Sequence, residues 1–185
     1  HLTDPHLFAD QDGELRGITT ADSLQRVLDH YAAADWRAQR VLVTGDLIHD
    51  DSEQAYTRFR DFLLPLRLRV HCVPGNHDVR DLMQPVCGRP PFSYCAYEEI
   101  HDWLLVGLDS CVDGKAGGAV SQDELDRLDY TFDRRFIFRV LAMGQMNAIL
   151  GLEQRLAELQ IHRRVVNRIA AQDDQGVDVA PVQVL

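Results

Sequence analysis

The stretch "VHCVPGNHDV", Val70 to Val79, decides how this chain is read. An apolar run stops at Pro74-Gly75, and Asn76, His77 and Asp78 then bring an amide, an imidazole and a carboxylate together. Proline and glycine punctuate a strand, and glycine lets the backbone turn sharply enough to aim the next side chain away from the core. The stretch therefore predicts a buried strand whose carboxyl end presents polar groups. "RVLVTGD" has the same form, an apolar run meeting Gly45-Asp46. So does the beginning of the chain, where His1 to Thr3 reads as the end of a strand and Asp4-Pro5-His6 follow.

Helical patterns separate these strands. After a loop through Gly17, Leu24, Val27, Leu28 and Tyr31 recur at helical spacing, with Thr20 or Asp22 as a cap. Ser52 is placed to cap a second helix that carries Tyr56, Phe59 and Leu63 on one face, and Pro65 follows its end. Both apolar stripes are expected to be core faces. A short helix is expected over residues 79–86. "FSYCAYEEI" and "DWLLVGLDS" read as successive strands joined near His101. "SQDELDRL" carries a capping box, with Ser121 accepting at Glu124 and Glu124 reaching back. "RRFIFRVLAM" reads as a further strand, and residues 147–171 have helical periodicity.

Strands alternating with helices imply βαβ units and a mainly parallel sheet, and the later strand pair implies a second sheet or an antiparallel extension. The 185 residues suffice for one domain with a real core. A net charge of −10 argues against a surface for a nucleic-acid polymer. No apolar stretch approaches membrane-spanning length. Cys72, Cys87, Cys95 and Cys111 show no C-x-x-C spacing and read as free thiols in a reducing compartment, the cytoplasm.

If the strands are parallel neighbours, their turns open on one edge, where α/β folds bind ligands. Asp4, His6, Asp46, Asn76 and His77 would then converge. Carboxylate, imidazole and amide donors suit a divalent ion such as Mn, Fe or Zn. With no thiolate on offer, a structural Cys-type zinc site is not expected. A carboxylate such as Asp46 has two oxygens and can bridge two ions, and such pairs clamp phosphoryl displacements. His77 and Asn76 are adjacent, so both are not expected on one ion. An imidazole with an ordinary pKa near 6.5 suits protonation of a leaving oxygen. Asp78 or Asp50 is a candidate to orient that ring, and His49 lies close enough in sequence to contact substrate or position His77. His30 reads as solvated, His71 as a satisfied strand residue and His101 as a turn residue.

"TDPHLF", "VTGDLIHD" and "PGNHD" resemble the first three motifs of the calcineurin-like metallophosphoesterases. "ADSLQRVLDH", "GDLIHDDSEQAYTRFRDFL" and "GLDSCVDGKAGGAVSQDELDRL" resemble the bacterial class III 3′,5′-cyclic-AMP phosphodiesterase branch. The likeness runs from His1 to about Leu128. It implies an α/β/β/α sandwich with an incomplete second half, in a single domain over 1–185 that lacks part of its first strand and diverges after about residue 130. It implies Asp4, His6 and Asp46 as ligands of a first ion, Asp46 as the bridging carboxylate, Asn76 as a ligand of a second ion, and His77 as the histidine that assists the leaving group. The implied reaction is hydrolysis of a small phosphodiester, cyclic AMP, to the 5′-monophosphate by a metal-activated hydroxide. The family's later histidines, from a His-rich loop and a Gly-His-x-His turn, have no counterpart: after residue 130 only His162 occurs, in "IHRRVV". The second ion is therefore expected to be weakly held. The rival readings are a phosphodiesterase for glycerophosphodiester or lipid substrates, and a nucleotide- or partner-binding remnant without turnover.

Overall fold

The computed structural model describes residues 1–101, 103–133, 139–144 and 169–170. Its first half is a parallel sheet in the order β3 (Arg40–Thr44), β4 (Arg69–Val73), β5 (Phe92–Tyr94). Val41 pairs with Val70, Val43 with Cys72, and Cys72 with Tyr94. The beginning of the chain extends this sheet as a single parallel bridge, Leu2 to Val43. All three polar turns therefore leave the same edge, as the strand-end pattern requires.

Before β3 the chain makes a small hairpin, β1 (Glu14–Leu15) and β2 (Ile18–Thr19), where the sequence suggested only a loop. Its two turn residues, Arg16 and Gly17, both have positive φ, 53° and 78°, the geometry that matches strand twist in a two-residue hairpin. Helix α1 (Thr20–Ala33) is capped one residue before Thr20 and three before Asp22: Thr19 is the N-cap, and its side chain makes no capping bond. Leu24 and Leu28 are buried, but Val27 is 48 % exposed. Tyr31 turns aside to meet Trp36 edge-on at 5.2 Å. The apolar stripe of this helix is narrower than its periodicity implied.

Helix α2 (Glu53–Leu63) follows its sequence closely. Ser52 Oγ accepts the Ala55 amide at 3.1 Å, and Tyr56, Phe59 and Leu63 are fully buried. With Leu24, Leu28, Met83 and Phe92 they fill the core between helices and sheet. Each such apolar side chain contributes about 1.5–3 kcal/mol through burial. Helix α3 (Arg80–Cys87) lies within a residue of its expected span.

"FSYCAYEEI" does not form one strand. It breaks at Cys95, whose φ is 43°, and there the chain leaves the first sheet. β6 (Tyr97–Ile100) joins a second sheet of order β6-β7-β8-β9, with β7 at Trp103–Gly107, β8 at Arg139–Gly144 and β9 at Ile169–Ala170. β6 and β7 are antiparallel, whereas β7, β8 and β9 run parallel. Val73 and Leu105 form a small core between the sheets, with Leu42, Cys95 and Ile100 against them. Glu98 of β6 fastens the sheets through Arg40 and His71, each at 2.7 Å. Arg69, itself largely exposed, adds a third contact.

Helix α4 (Gln122–Asp133) begins at Ser121, whose Oγ accepts the Glu124 amide at 3.2 Å. The capping box is only half made, because the Glu124 carboxylate turns to Arg127, which also donates to the Gly107 carbonyl at 2.7 Å. Most of the helical pattern over 147–171 lies outside the described residues, but its last described part, Ile169–Ala170, is strand. All four cysteines are free. Among the described residues no helix is long and apolar enough to cross a membrane.

Candidate metal centre

The first two polar turns are laced together by main-chain bonds, and the third is tied to them through the Asp46 and Asp78 carboxylates. Asp4 N–H donates to the Gly45 carbonyl, His6 N–H to Asp46, Leu7 N–H to Leu47, and His49 N–H to Leu7, at 2.9–3.2 Å. Two glycines make this approach possible, for different reasons. Gly45 has φ +90°, a turn that favours glycine. Gly75 is needed for closeness: a Cβ there would lie 2.1 Å from Asp46 Oδ1 and 2.5 Å from its amide nitrogen.

Asp4, His6 and Asp46 all sit in the left-handed region, with φ of 52°, 43° and 51°. That conformation costs an L-residue roughly 1–2 kcal/mol, and such strain concentrates where geometry serves a site. Here it turns three donors toward one point. One ligand atom from each lies within 4.8 Å of the others. His6 Nε2 stands 4.0 Å from Asp4 Oδ1 and 3.8 Å from Asp46 Oδ2. These separations exceed a hydrogen bond. They suit donors around a cation bound at about 2.0–2.2 Å. The donor chemistry and the spacing both fit a divalent ion.

Asp46 is 8 % exposed and its two oxygens are used differently. Oδ1 accepts the His77 main-chain N–H at 3.0 Å, while Oδ2 faces His6. Asp4 is steadied by the Thr3 hydroxyl, which also reaches the Thr44 carbonyl at 3.2 Å. Asn76 is exposed in the turn between Gly75 and His77. The His77 ring lies edge-on to His6 at 5.1 Å and stacked on His49 at 5.2 Å. His6, His49 and His77 form a second group of nitrogens within 4.8 Å. His49 thus lies beside His6 and His77, close to where its position in the sequence put it.

Neither residue proposed to orient His77 is engaged with its ring. Asp50 accepts from the Ala9 amide and the Ser52 hydroxyl. Asp78 accepts from the amides of Gly75 and Leu47 and from the Tyr56 hydroxyl at 3.0 Å. Its role is to tie the turn after β4 to the turn after β3. Burial pushes its carboxyl up to about 7, against the pull of the Gly75 and Leu47 amides. Tyr56, read from the sequence only as core, is a link in the same chain: its oxygen accepts the Val79 amide at 2.9 Å. Cys111 backs the turn from the second half, its thiol donating to the Pro74 and Gly75 carbonyls at 3.4 and 3.2 Å. No spacing signal in the sequence marks these two contacts, because both are long-range and local pattern is silent about them. His71 is buried and satisfied by Ser93 and Glu98, as expected for a strand residue. A groove of about 790 Å³ lined by residues of α1 and α2, Leu28 and Arg58 among them, includes none of the candidate donors.

Comparison with known proteins places this arrangement. The model of the calcineurin-like phosphoesterase family matches residues 1–151. The chain is 35 % identical over 134 residues to the 3′,5′-cyclic adenosine monophosphate phosphodiesterase CpdA of Haemophilus influenzae, covering 72 % of this chain and 49 % of that protein. It is 38 % identical over 135 residues to CpdA of Pseudomonas aeruginosa, covering 71 % and 48 %. A probable cyclic nucleotide phosphodiesterase of Synechococcus is 32 % identical over 128 residues, covering 69 % and 49 %. The chain spans about half the length of these curated relatives. With its α/β fold, its strand-end turns and its Asp–His cluster all in the matched region, the chain belongs to the calcineurin-like phosphoesterase family.

Proposed function

We propose that this chain is a metal-dependent phosphodiesterase that opens 3′,5′-cyclic nucleotides, cyclic AMP among them, to 5′-monophosphates. The observation that carries the reading is the meeting of Asp4, His6 and Asp46 within 4.8 Å, with the His77 ring beside His6. The names of the relatives support the substrate class.

In this reading Asp4, His6 and Asp46 would hold a first divalent ion (Fe, Mn or Zn), and Asp46 and Asn76 would offer donors to a second. Bound ions of this kind polarise phosphoryl oxygens and make water nucleophilic near neutral pH. The residues of the chain do the rest. Asp46, gripped by the His77 amide, ties the candidate donor cluster to the turn that carries His77. His77 supplies a proton to the departing 3′ oxygen while the hydroxyl of water goes to phosphorus, so the P–O3′ bond breaks and the 5′ ester survives. One shared carboxylate and one neutral amide make a poor cage, so the second ion is weakly held. Free thiols at all four cysteines suit a reducing compartment, and the proposed location is the cytoplasm.

The test is to incubate the Mn²⁺- or Fe²⁺-loaded chain with cyclic AMP and with a panel of glycerophosphodiesters, following 5′-AMP by chromatography, with metal content measured alongside. Formation of 5′-AMP with one tightly held ion per chain is expected. Turnover confined to glycerophosphodiesters would move the substrate class. Nucleotide binding without turnover would leave a binding module, and two tight ions would contradict the weak second site.

A further inference from the structure

We propose that His6, His49 and His77 form a nitrogen-only cation site, selective for borderline transition ions such as Zn²⁺ and distinct in composition from the carboxylate-rich set of Asp4, His6 and Asp46. The three imidazoles come from separate turns, and a nitrogen from each lies within 4.8 Å of the others. The rings are close, 5.1–5.4 Å between centroids, with His6 edge-on to both partners. His49 is fixed from behind: its amide donates to the Leu7 carbonyl at 2.9 Å, and Phe8 packs on its ring at 5.1 Å. Its Nδ1 is buried with no hydrogen-bond partner among the described residues. Buried polar atoms are nearly always satisfied, and an imidazole nitrogen in this position is a ligand atom waiting for a donor or an ion.

Packing alone does not account for that atom, since an apolar residue would cover Phe8 without it. Three imidazoles with an open fourth position suit Zn²⁺, Co²⁺, Ni²⁺ or Cu²⁺. Mg²⁺ prefers oxygen and is excluded by the donor set. A neutral imidazole has one lone pair, so His6 serves one ion at a time. The nitrogen set and the carboxylate set therefore compete through His6. Because the proposed reaction needs His77 as a proton donor, and resting on that reading, an ion seated on the three histidines blocks turnover.

The test uses the full chain labelled with ¹⁵N and titrated with Zn²⁺, then with Mg²⁺, following imidazole nitrogens in long-range ¹H–¹⁵N spectra. One nitrogen each of His6, His49 and His77 is expected to shift with Zn²⁺ and not with Mg²⁺, while His30 and His71 stay put. Calorimetry on His49→Gln should show Zn²⁺ affinity lowered at least about tenfold, and His77→Gln should do the same. Unmoved His49 nitrogens in the unmutated chain would overturn the site, a result independent of whether either variant folds. So would Zn²⁺ affinity unaltered in both variants. Absence of cyclic AMP hydrolysis together with a shifted His49 would reject the phosphodiesterase reading and leave the site standing. Hydrolysis with an unmoved His49 would do the reverse.

Discussion

The main-chain N–H of His77 donates to Oδ1 of Asp46 at 3.0 Å, while Oδ2 of the same carboxylate stands 3.8 Å from His6 Nε2. One side chain thus holds the turn after β4 and faces the turn after the first segment. Asp46→Ala should lose both functions, with Mn²⁺ affinity falling at least ~100-fold by calorimetry. Asp46→Asn keeps an oxygen for the His77 amide but gives up the charge. It should melt near the parent temperature and still bind Mn²⁺ far more weakly.

Gly75→Ala should be the worst glycine substitution among the described residues. Its Cβ would fall 2.1 Å from Asp46 Oδ1, so the two turns must part. A loss of about 1–3 kcal/mol is expected from overpacking, together with the Mn²⁺ site. Gly17→Ala is the control. It has φ +78° but nothing within 4 Å, so it should cost only the left-handed backbone penalty of about 1–2 kcal/mol. Denaturant titration of both variants reads the contrast.

Tyr56→Phe removes one hydroxyl and leaves two buried groups short, the Asp78 carboxylate and the Val79 amide. The expected loss is about 1–3 kcal/mol, read as a fall in Tm. An unchanged Tm would mean that this hydroxyl does not hold the turn.

Much of this arrangement could be read from residue order. Apolar runs ending in Gly45-Asp46 and Gly75-Asn76 announce strands that stop at polar turns, and the parallel pairing of β3 with β4 puts those turns on one edge. Ser52 and the Tyr56–Phe59–Leu63 stripe were equally legible, because capping and helical burial act within a few residues. What escaped depends on distant partners. Val27 fits the helical period, yet it is about half-exposed among the described residues. "FSYCAYEEI" looks like one strand by composition, but a single left-handed residue, Cys95, divides it between two sheets. Asp78 looked like a partner for His77 because they are neighbours in sequence. In the fold its carboxylate is taken by Gly75, Leu47 and Tyr56.

Acid should loosen the joint between the sheets. The Arg40 guanidinium, with help from His71, holds the Glu98 carboxyl at about 2. Its folded pKa is depressed, so its contribution is present above the unfolded value near 4.5 and is lost as pH falls toward 2, roughly 3 kcal/mol at most. Burial lowers the His71 pKa, so His71 also destabilises the fold as pH drops below the ordinary histidine range. Both effects have the same sign. Glu98→Gln should be less stable than the parent at pH 7 and lose less additional stability between pH 4.5 and 2. A parallel pH dependence would remove Glu98 from the explanation.

His77→Gln should leave Mn²⁺ binding at Asp4, His6 and Asp46 intact and lower kcat for a cyclic nucleotide by about 10²–10⁴-fold. A phosphodiester with a p-nitrophenol leaving group needs no proton donor and should be nearly indifferent to the change. Equal losses on both substrates would assign His77 to something other than the leaving oxygen.

Cys95 marks the point where the chain passes from one sheet to the next, and Asp4, His6, Asp46, Asn76 and His77 all precede it. A ribosome therefore joins each of these residues to the chain before it begins the later sheet. The candidate donors are thus encoded in one continuous passage that precedes the second sheet.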